Sequence, residues 1–229
     1  YVYKDLLWSS INKNIKSKYR QMALGPIWMV LQPLVNMLLF TFIFGEMAGF
    51  SSDGVPYQVQ TLSALLPWTL FQNTVKFTTN SLVTQMPVIS KVYFPRLIIP
   101  LAEAASWLFD FIISFALLIC VMVYYDVPIT TRLLFMVPLL IWLMIFSLSI
   151  GTFFASWTVK FRDVRLFVEY GLRILMFLTP VAFSVGTLLN SVPVVYQWII
   201  KMNPMLWIIE GFRWSVYGVG QFDIDFILI

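Results

Sequence analysis

Three cations stand directly before an apolar stretch near the N-terminus. Lys16, Lys18 and Arg20 precede Gly25-Pro26, where an uncharged run begins. Several cations that converge on one point can bind an anionic group, and a helix that restarts at a proline turns backbone N–H groups toward the same point. Simple anchoring to anionic lipid on the cytoplasmic side explains the same cluster. The residue pattern alone leaves both functions open.

The composition indicates an integral membrane protein. Of the 229 residues, 60% are apolar and 11% are charged. A soluble domain of this length cannot cover its surface with so few charges. The chain has no histidine, which disfavours hydrolytic and zinc chemistry, and its one cysteine, Cys120, excludes an intrachain disulfide. Because Cys120 has apolar neighbours in sequence, we expect a packed thiol.

The apolar pattern predicts an all-α transmembrane domain that covers residues 1–229. An amphipathic interfacial helix occupies residues 1–24, because leucines and isoleucines recur there at helical spacing among lysines. Six spans follow, and each complete one is long enough to cross a hydrocarbon core of ~30 Å. The spans cover 26–44, 55–76, 100–125, 133–159 and 167–188, and the sixth begins at 225–229.

Prolines and short apolar pieces modify this plan. Pro33 is expected to break the first span, and Pro180 to bend the fifth. Residues 193–220 form two short apolar pieces that are split near Lys201 and Asn203-Pro204. Neither piece can cross the core, so we expect a re-entrant pair of helices before the last span.

Lysine and arginine predict the orientation of the spans. Basic residues concentrate before span one and after spans two and four, whereas the alternate connectors are nearly bare. Because basic connectors stay inside, the N-terminus is expected to be cytoplasmic. The net charge of +4 then reflects topology and does not indicate a nucleic-acid partner.

Six motifs in this order resemble one known family. The chain resembles the membrane-spanning permease subunit of the bacterial ATP-binding-cassette exporters of O-antigen, capsule and teichoic-acid polysaccharides. The resemblance covers nearly the whole chain but does not separate the cargo classes. The motifs are KYRQMALGPIWMVLQPLV, LLPWTLFQNTVKFTTNSLV, ISKVYFPRLIIPL, FRDVR, FLTPVAFS and NPMLWIIEGFRW.

The resemblance implies a homodimer in the bacterial inner membrane, with each subunit resting on a separate nucleotide-binding ATPase. The dimer would enclose a channel for a polysaccharide linked to polyprenyl pyrophosphate. ATP and magnesium would then be bound by the partner and not by this chain. The sequence agrees, since it contains no GxxxxGK motif followed by serine or threonine.

The resemblance also suggests roles for the basic residues. Lys16, Lys18 and Arg20 would hold the pyrophosphate of the lipid as it enters below Gly25-Pro26. The connector 85–100 would form a short helix that docks into the ATPase, with a plain loop as the alternative. The basic residues expected to couple to the ATPase are Lys91, Arg96, Arg162 and Arg165.

Charged residues inside the spans are costly and usually face protein or water. Glu103 and Asp110 are seven residues apart and share a helix face, and Glu169 and Arg173 are spaced for an ion pair. We favour helix-locking pairs over cargo contact for these four. The residues assigned to an outer gate, where the last two brace the re-entrant pair, are Asn203, Pro204, Glu210 and Arg213.

Aromatic residues with polar neighbours are candidates for stacking on sugar rings along a channel. For each of them, exposure to lipid is the alternative, and it is the favoured one residue by residue. The candidates are Tyr57, Trp68, Phe71, Trp107, Phe153 and Trp157.

Two classes of function follow from these features. The first is a permease without chemistry of its own, which moves a lipid-linked, O-antigen-like polysaccharide outward. The second is a membrane enzyme acting on lipid-linked sugars or phosphates, with Glu103 and Asp110 as metal ligands. The lack of histidine and of a cytoplasmic acidic cluster favours the permease. Asp223-Ile-Asp225 has glycosyltransferase-like spacing, but the charge pattern places it outside, away from nucleotide sugars.

Overall fold

The computed structural model describes residues 2–20, 25–50, 52, 54–91, 94–186 and 192–218. Within these residues the fold is all-helical. A 3₁₀ turn, Gly25–Ile27, precedes the second helix, a π-helical turn, Thr41–Met47, continues it, and another 3₁₀ turn, Thr131–Phe135, precedes the sixth. The helices are α1 Val2–Tyr19, α2 Trp28–Phe40, α3 Tyr57–Thr84, α4 Met86–Ile89, α5 Ile98–Tyr124, α6 Met136–Thr158, α7 Val164–Phe177, α8 Val194–Lys201 and α9 Pro204–Tyr217.

Three helical stretches in the described residues are long and apolar enough to span a membrane. They are Trp28–Met47, Ile98–Tyr124 and Thr131–Thr158. They confirm the predicted apolar stretches 26–44, 100–125 and 133–159. The expected break at Pro33 is wrong, because α2 continues through this proline. Membrane helices tolerate proline where neighbouring groups compensate for the lost hydrogen bond.

Helix α3 lies at the centre of the bundle. It packs against α2, α5, α6, α7 and α9, so that residues on nearly every side of it are buried. Gln60 and Thr74 are buried together with Leu62 and Leu66. The polar residues of this stretch are therefore shielded by other helices, and the position of α3 does not depend on its own hydropathy. The helix also extends beyond the predicted end of the span, to Thr84.

Helices α3 and α6 run in the same direction. The rings of Phe71 and Phe146 stack with centroids 5.8 Å apart. Toward the C-terminal end of both helices, Thr78 of α3 faces Gly151 of α6. The connectors that follow α3 and α6 therefore lie at the same end of the bundle. This end carries the basic residues Lys91, Arg96, Arg162 and Arg165.

The predicted fifth span 167–188 is wrong in its helical extent. Helix α7 ends at Phe177, after 14 residues, which corresponds to about 21 Å. The turn that follows contains Pro180. Proline disfavours a helical conformation for the residue before it and has no N–H group to continue the helix.

Two short helices follow, as the sequence predicts for 193–220. Helices α8 and α9 are separated by Met202 and Asn203. Residues 187–191 and 219–229 lie outside the described residues, together with the start of the sixth span and Asp223-Ile-Asp225. Cys120 corrects a further expectation, because its side chain is exposed on α5 and is not packed in the core.

Candidate functional site

Lys18 attaches α1 to α5. Its Nζ lies 3.3 Å from Oδ2 of Asp110 and 3.3 Å from the centroid of the Trp107 ring. The hydroxyl of Tyr19 donates a hydrogen bond to the same Oδ2 at 2.8 Å. The side chains of Lys18 and Asp110 are only 16% and 15% exposed. The contact therefore joins α1 to α5 through a largely buried ion pair.

Burial and the neighbouring carboxylates act on the protonation of Lys18 and Tyr19. Burial lowers the pKa of Lys18, whereas the neighbouring carboxylates of Asp110 and Glu103 favour its charged form. Burial also raises the pKa of Tyr19, and its hydrogen bond to Asp110 acts in the same direction. Tyr19 therefore stays a hydrogen-bond donor to Asp110 across the neutral range.

The three predicted cations have different surroundings. Lys16 and Arg20 are exposed, whereas Lys18 is engaged with Asp110. Helix α1 ends at Tyr19, and the helical path resumes with the 3₁₀ turn at Gly25, whose φ is +49°. This backbone angle is costly for residues with a side chain, so glycine suits the turn between α1 and α2. The pyrophosphate role itself remains a prediction.

A cavity of about 330 Å³ opens beside the Lys18–Asp110 pair. Its walls come from α2, α3 and α5. Gln32 and Asn36 lie one turn apart on α2, and Thr69 and Asn73 lie one turn apart on α3. The second carboxylate oxygen of Asp110, Oδ1, is buried and has no hydrogen-bond partner among the described residues. The cavity thus joins polar side chains from three helices at the α1–α5 contact.

The broken end of α7 is held by Asn203. The Asn203 amide Nδ2 donates to Oγ1 of Thr179 at 2.9 Å and to the carbonyl of Leu178 at 3.4 Å. Its Oδ1 accepts from the backbone N–H of Met205 at 3.0 Å and so caps α9, which has Pro204 in its first turn. Asparagine and proline are favoured at these two positions of a helix. Asn203 therefore caps the start of α9 and also donates hydrogen bonds to the end of α7.

Arg213, which lies on α9, bonds to the turn that follows α7. Its Nη1 lies 3.0 Å from Oε1 of Glu210 and donates to the carbonyl of Phe183 at 3.0 Å. Its Nη2 donates to the carbonyl of Val181 at 3.3 Å, and both charged side chains are buried. The Tyr57 hydroxyl donates to the carbonyl of Ala182 in the same turn. The two charges pair with each other, whereas their predicted roles in bracing the re-entrant pair and in an outer gate remain predictions.

The predicted pair of Glu169 and Arg173 needs correction. Oε1 of Glu169 lies 3.1 Å from Nζ of Lys76 on α3. The guanidinium of Arg173 instead lies 5.5 Å from the centroid of the Tyr170 ring. Because α7 packs against α3, a lysine from the neighbouring helix reaches the carboxylate. The ion pair links two helices, as the helix-locking interpretation requires, but with a different partner.

Burial divides the six candidate aromatics. Trp68 and Phe71 are each 1% exposed within the subunit, because α3 is surrounded by other helices. Their predicted position on an open channel is therefore wrong. Tyr57 is also buried, and Trp107 borders the cavity. Phe153 and Trp157 are exposed on α6, with ring centroids 5.3 Å apart.

The expected coupling residues lie on the surface. Lys91, Arg96, Arg162 and Arg165 are exposed at the common end of α3 and α6. A short helix, Met86–Ile89, forms in the connector after α3, where the sequence predicts one. Its docking into an ATPase remains a prediction.

These features define a helical membrane-type domain in which α1 is attached to α5, a polar cavity lies between three helices, and the end of α7 is held by Asn203 and Arg213. The chain belongs to the ABC-2 type transporter family, whose model matches residues 5–217. The resemblance drawn from the six motifs is thereby confirmed at the level of the family.

Curated relatives cover most of this chain and are polysaccharide transporters by name. The O-antigen export system permease protein RfbA of Klebsiella pneumoniae is 26% identical over 226 residues, which are 98% of this chain and 85% of the relative. The RfbA protein of Myxococcus xanthus is 27% identical, covering 95% of this chain and 82% of the relative. The polysialic acid transport protein KpsM of Escherichia coli is 23% identical, covering 89% and 78%.

Sequence reasoning missed two parts of the site. The contact of Lys18 and Tyr19 with Asp110 joins residues about ninety positions apart, and no local pattern indicates it. The sequence does contain a weak indication of the cavity. Gln32 with Asn36, and Thr69 with Asn73, are polar pairs four residues apart in stretches assigned to the membrane. Such pairs indicate a face turned away from lipid.

Proposed function

We propose that this chain is the permease subunit of an ATP-driven exporter of lipid-linked polysaccharide. The cargo is a polysaccharide on polyprenyl pyrophosphate, which moves from the cytoplasmic to the outer face of the bacterial inner membrane. The family match over residues 5–217 carries this proposal. The names of the O-antigen and polysialic acid transporters among the relatives support the choice of cargo.

The active assembly in this proposal contains two copies of the chain and two copies of a nucleotide-binding ATPase. ATP and magnesium bind to the ATPase, which carries out the hydrolysis. Exposed basic residues at one end of the bundle, among them Lys91 and Arg162, support a docking surface there. The other residues in this surface are Arg96 and Arg165.

The proposed topology has six spans, a cytoplasmic N-terminus and a re-entrant pair, α8 and α9. The parallel arrangement of α3 and α6 supports it, because both basic connectors then face the same side. The clamp formed by Asn203 and Arg213 supports the re-entrant pair. Broken helices at membrane depth require protein groups to satisfy their free carbonyls.

The proposed entrance for the lipid head group lies at the α1–α2 turn. Lys16 and Arg20 are exposed there, and a lipid pyrophosphate needs several cations at the interface. Lys18 is held by Asp110 in the described state. The third cation thus becomes available to the phosphate when α1 moves away from α5.

Deletion and complementation test the exporter function. Cells that lack the chain are expected to lose surface polysaccharide and to accumulate the lipid-linked polymer inside. Expression of the chain together with its ATPase should restore surface polymer, whereas an ATPase variant unable to hydrolyse ATP should not. Normal surface polysaccharide in the deletion strain would disprove the proposed function.

A further inference from the structure

We propose that the cavity between α2, α3 and α5 binds a neutral sugar unit of the exported chain. This inference rests on the proposed export function and adds a binding site within a single subunit. The site is defined by Gln32 and Asn36 of α2, Asn73 of α3 and Asp110 of α5. We call these four residues the sugar cleft.

The carboxamides of the sugar cleft suit hydroxyl groups. Gln32, Asn36 and Asn73 each carry both donors and an acceptor, and each sugar hydroxyl also donates and accepts. Gln32 and Asn36 lie on a helix that is apolar enough to span a membrane. Polar side chains at membrane depth usually face protein or a water-filled cavity, because exposure to lipid is costly. Amides from two helices therefore converge on one polar cavity.

The charge of the cleft disfavours a phosphate. The positive charge of Lys18 is already paired with Asp110, and Glu103 lies close enough to act on Lys18 as well. Oδ1 of Asp110 is buried and has no hydrogen-bond partner among the described residues. The carboxylate of Asp110 in the cavity wall repels phosphate but not a neutral sugar. The cleft therefore selects the sugar and leaves the pyrophosphate to the exposed cations.

The size and the apolar walls fit one unit of a chain. A volume of about 330 Å³ lies near the lower end of the range of ~300–1,000 Å³ for small-ligand pockets. Trp28 and Phe77, both partly exposed, supply flat apolar walls. Sugar rings present C–H faces to such surfaces. The cleft can thus hold a short part of the polymer near the α1–α2 turn.

Site-specific photo-crosslinking in cells that make the polymer tests this proposal. A photoreactive phenylalanine analogue replaces Trp28 or Phe77 on the apolar walls of the cavity, and the same analogue at the exposed α6 residue Ile145 is the control. We expect carbohydrate-stained adducts of the permease at positions 28 and 77, at least five-fold above position 145. Absence of these adducts from variants that still export polymer would overturn the sugar cleft, and so would adducts that contain only phospholipid.

Leucine substitutions give a second, independent readout. Asn36→Leu with Asn73→Leu should lower surface polymer per inserted transporter at least five-fold, while Asn80→Leu should leave it unchanged. Asn80 lies on α3, as Asn73 does, but its amide donates a hydrogen bond to the carbonyl of Lys76 and does not line the cavity. Normal export by the double variant overturns the cleft whatever the crosslinking shows. The deletion strain separates the two hypotheses, because lost export there leaves the exporter function standing even if the cleft fails.

Discussion

Gly151 of α6 approaches Thr78 of α3 so closely that a side chain cannot fit between them. A Cβ atom on Gly151 would lie 2.7 Å from Cβ of Thr78. Ser147 and Ala155, one turn away on either side, are also buried. Lipid provides no hydrophobic drive for helix association, so small residues that allow close backbone contact stabilise such pairs. The stripe of small residues on α6 therefore fixes its distance from the central helix.

Substitution of Gly151 by alanine should separate α3 from α6. The added methyl group meets the branched carbon of Thr78, and overpacking of this kind costs about 1–3 kcal/mol. We expect a lower melting temperature of the purified protein in detergent. Gly171→Ala is the matched control, because no atom lies within 4 Å of its added Cβ and alanine favours a helix by ~1 kcal/mol over glycine. Equal melting temperatures for the two variants would contradict the close contact.

Arg213→Met should destabilise the protein more than the loss of both charges does. The single change leaves Glu210 buried without its cation and frees the carbonyls of Val181 and Phe183. Removal of one partner of a buried pair costs about 3–5 kcal/mol. Addition of Glu210→Gln should recover part of the folded yield, measured by size-exclusion chromatography in detergent. A double variant no better than Arg213→Met would show that the backbone contacts, and not the pair, carry the stability.

Asp110→Leu should release α1 from α5. This change leaves Lys18 partly buried without its carboxylate, and trypsin should then cleave α1 at Lys13 and Lys16 several-fold faster. The combination Lys18→Met with Asp110→Leu should be less sensitive than Asp110→Leu, because apolar pairs can replace a buried ion pair. Asp5→Leu is the control, since Asp5 is an exposed carboxylate on α1 and its loss leaves the trypsin sites in place. Unchanged cleavage in Asp110→Leu would contradict the role of the pair in docking.

Lys16→Gln with Arg20→Gln should lower export while the Lys18–Asp110 contact persists. Both residues are exposed near the α1–α2 turn, where the pyrophosphate is proposed to enter. We expect at least a three-fold loss of surface polymer per inserted transporter, with copurification of the ATPase unchanged. Lys4→Gln with Lys13→Gln removes two exposed charges from the earlier part of the same helix. An equal loss in this control would leave membrane anchoring as the sole function of the cations.

Charge reversal at Lys91 and Arg96 should uncouple ATP hydrolysis from export. Both side chains are exposed at the common end of α3 and α6, where the ATPase is proposed to dock. Polymer export should fall by an order of magnitude while the purified ATPase keeps its basal hydrolysis rate. Lys201→Glu, on the exposed part of α8, is the control. Normal export by the double variant would refute the docking surface.

The sequence predicted the position of a helix best where the residues of that helix alone determine it. The stretches around α2, α5 and α6 were found because each is apolar along its whole length. The division between α8 and α9 was found because Lys201 and Asn203-Pro204 interrupt the apolar sequence there. The end of α7 was placed too late, since hydropathy continues past Phe177 while the backbone turns before Pro180.

Side-chain partners could not be predicted, because they depend on which helices meet. Glu169 had a partner at the right spacing in Arg173, yet Lys76 of another helix pairs with it. Trp68 and Phe71 were candidates for a channel or for exposure to lipid, and the helices around this part of α3 exclude them from both. The sequence predicted Lys18 as a cation that binds pyrophosphate. In the structure α1 packs against α5, and Lys18 pairs with Asp110.

The contacts of Asn203 and Arg213 with the segment after α7 also determine at what point of its synthesis this part of the chain can fold. The carbonyls of Leu178, Val181 and Phe183 find their donors on Asn203 and Arg213, 25 to 32 residues later in the chain. Until α9 leaves the ribosome, these carbonyls lack the donors that satisfy them in the folded protein, and burying them in that state is costly. A nascent chain stalled before Asn203 should therefore stay with the insertion machinery or be degraded by membrane quality-control proteases.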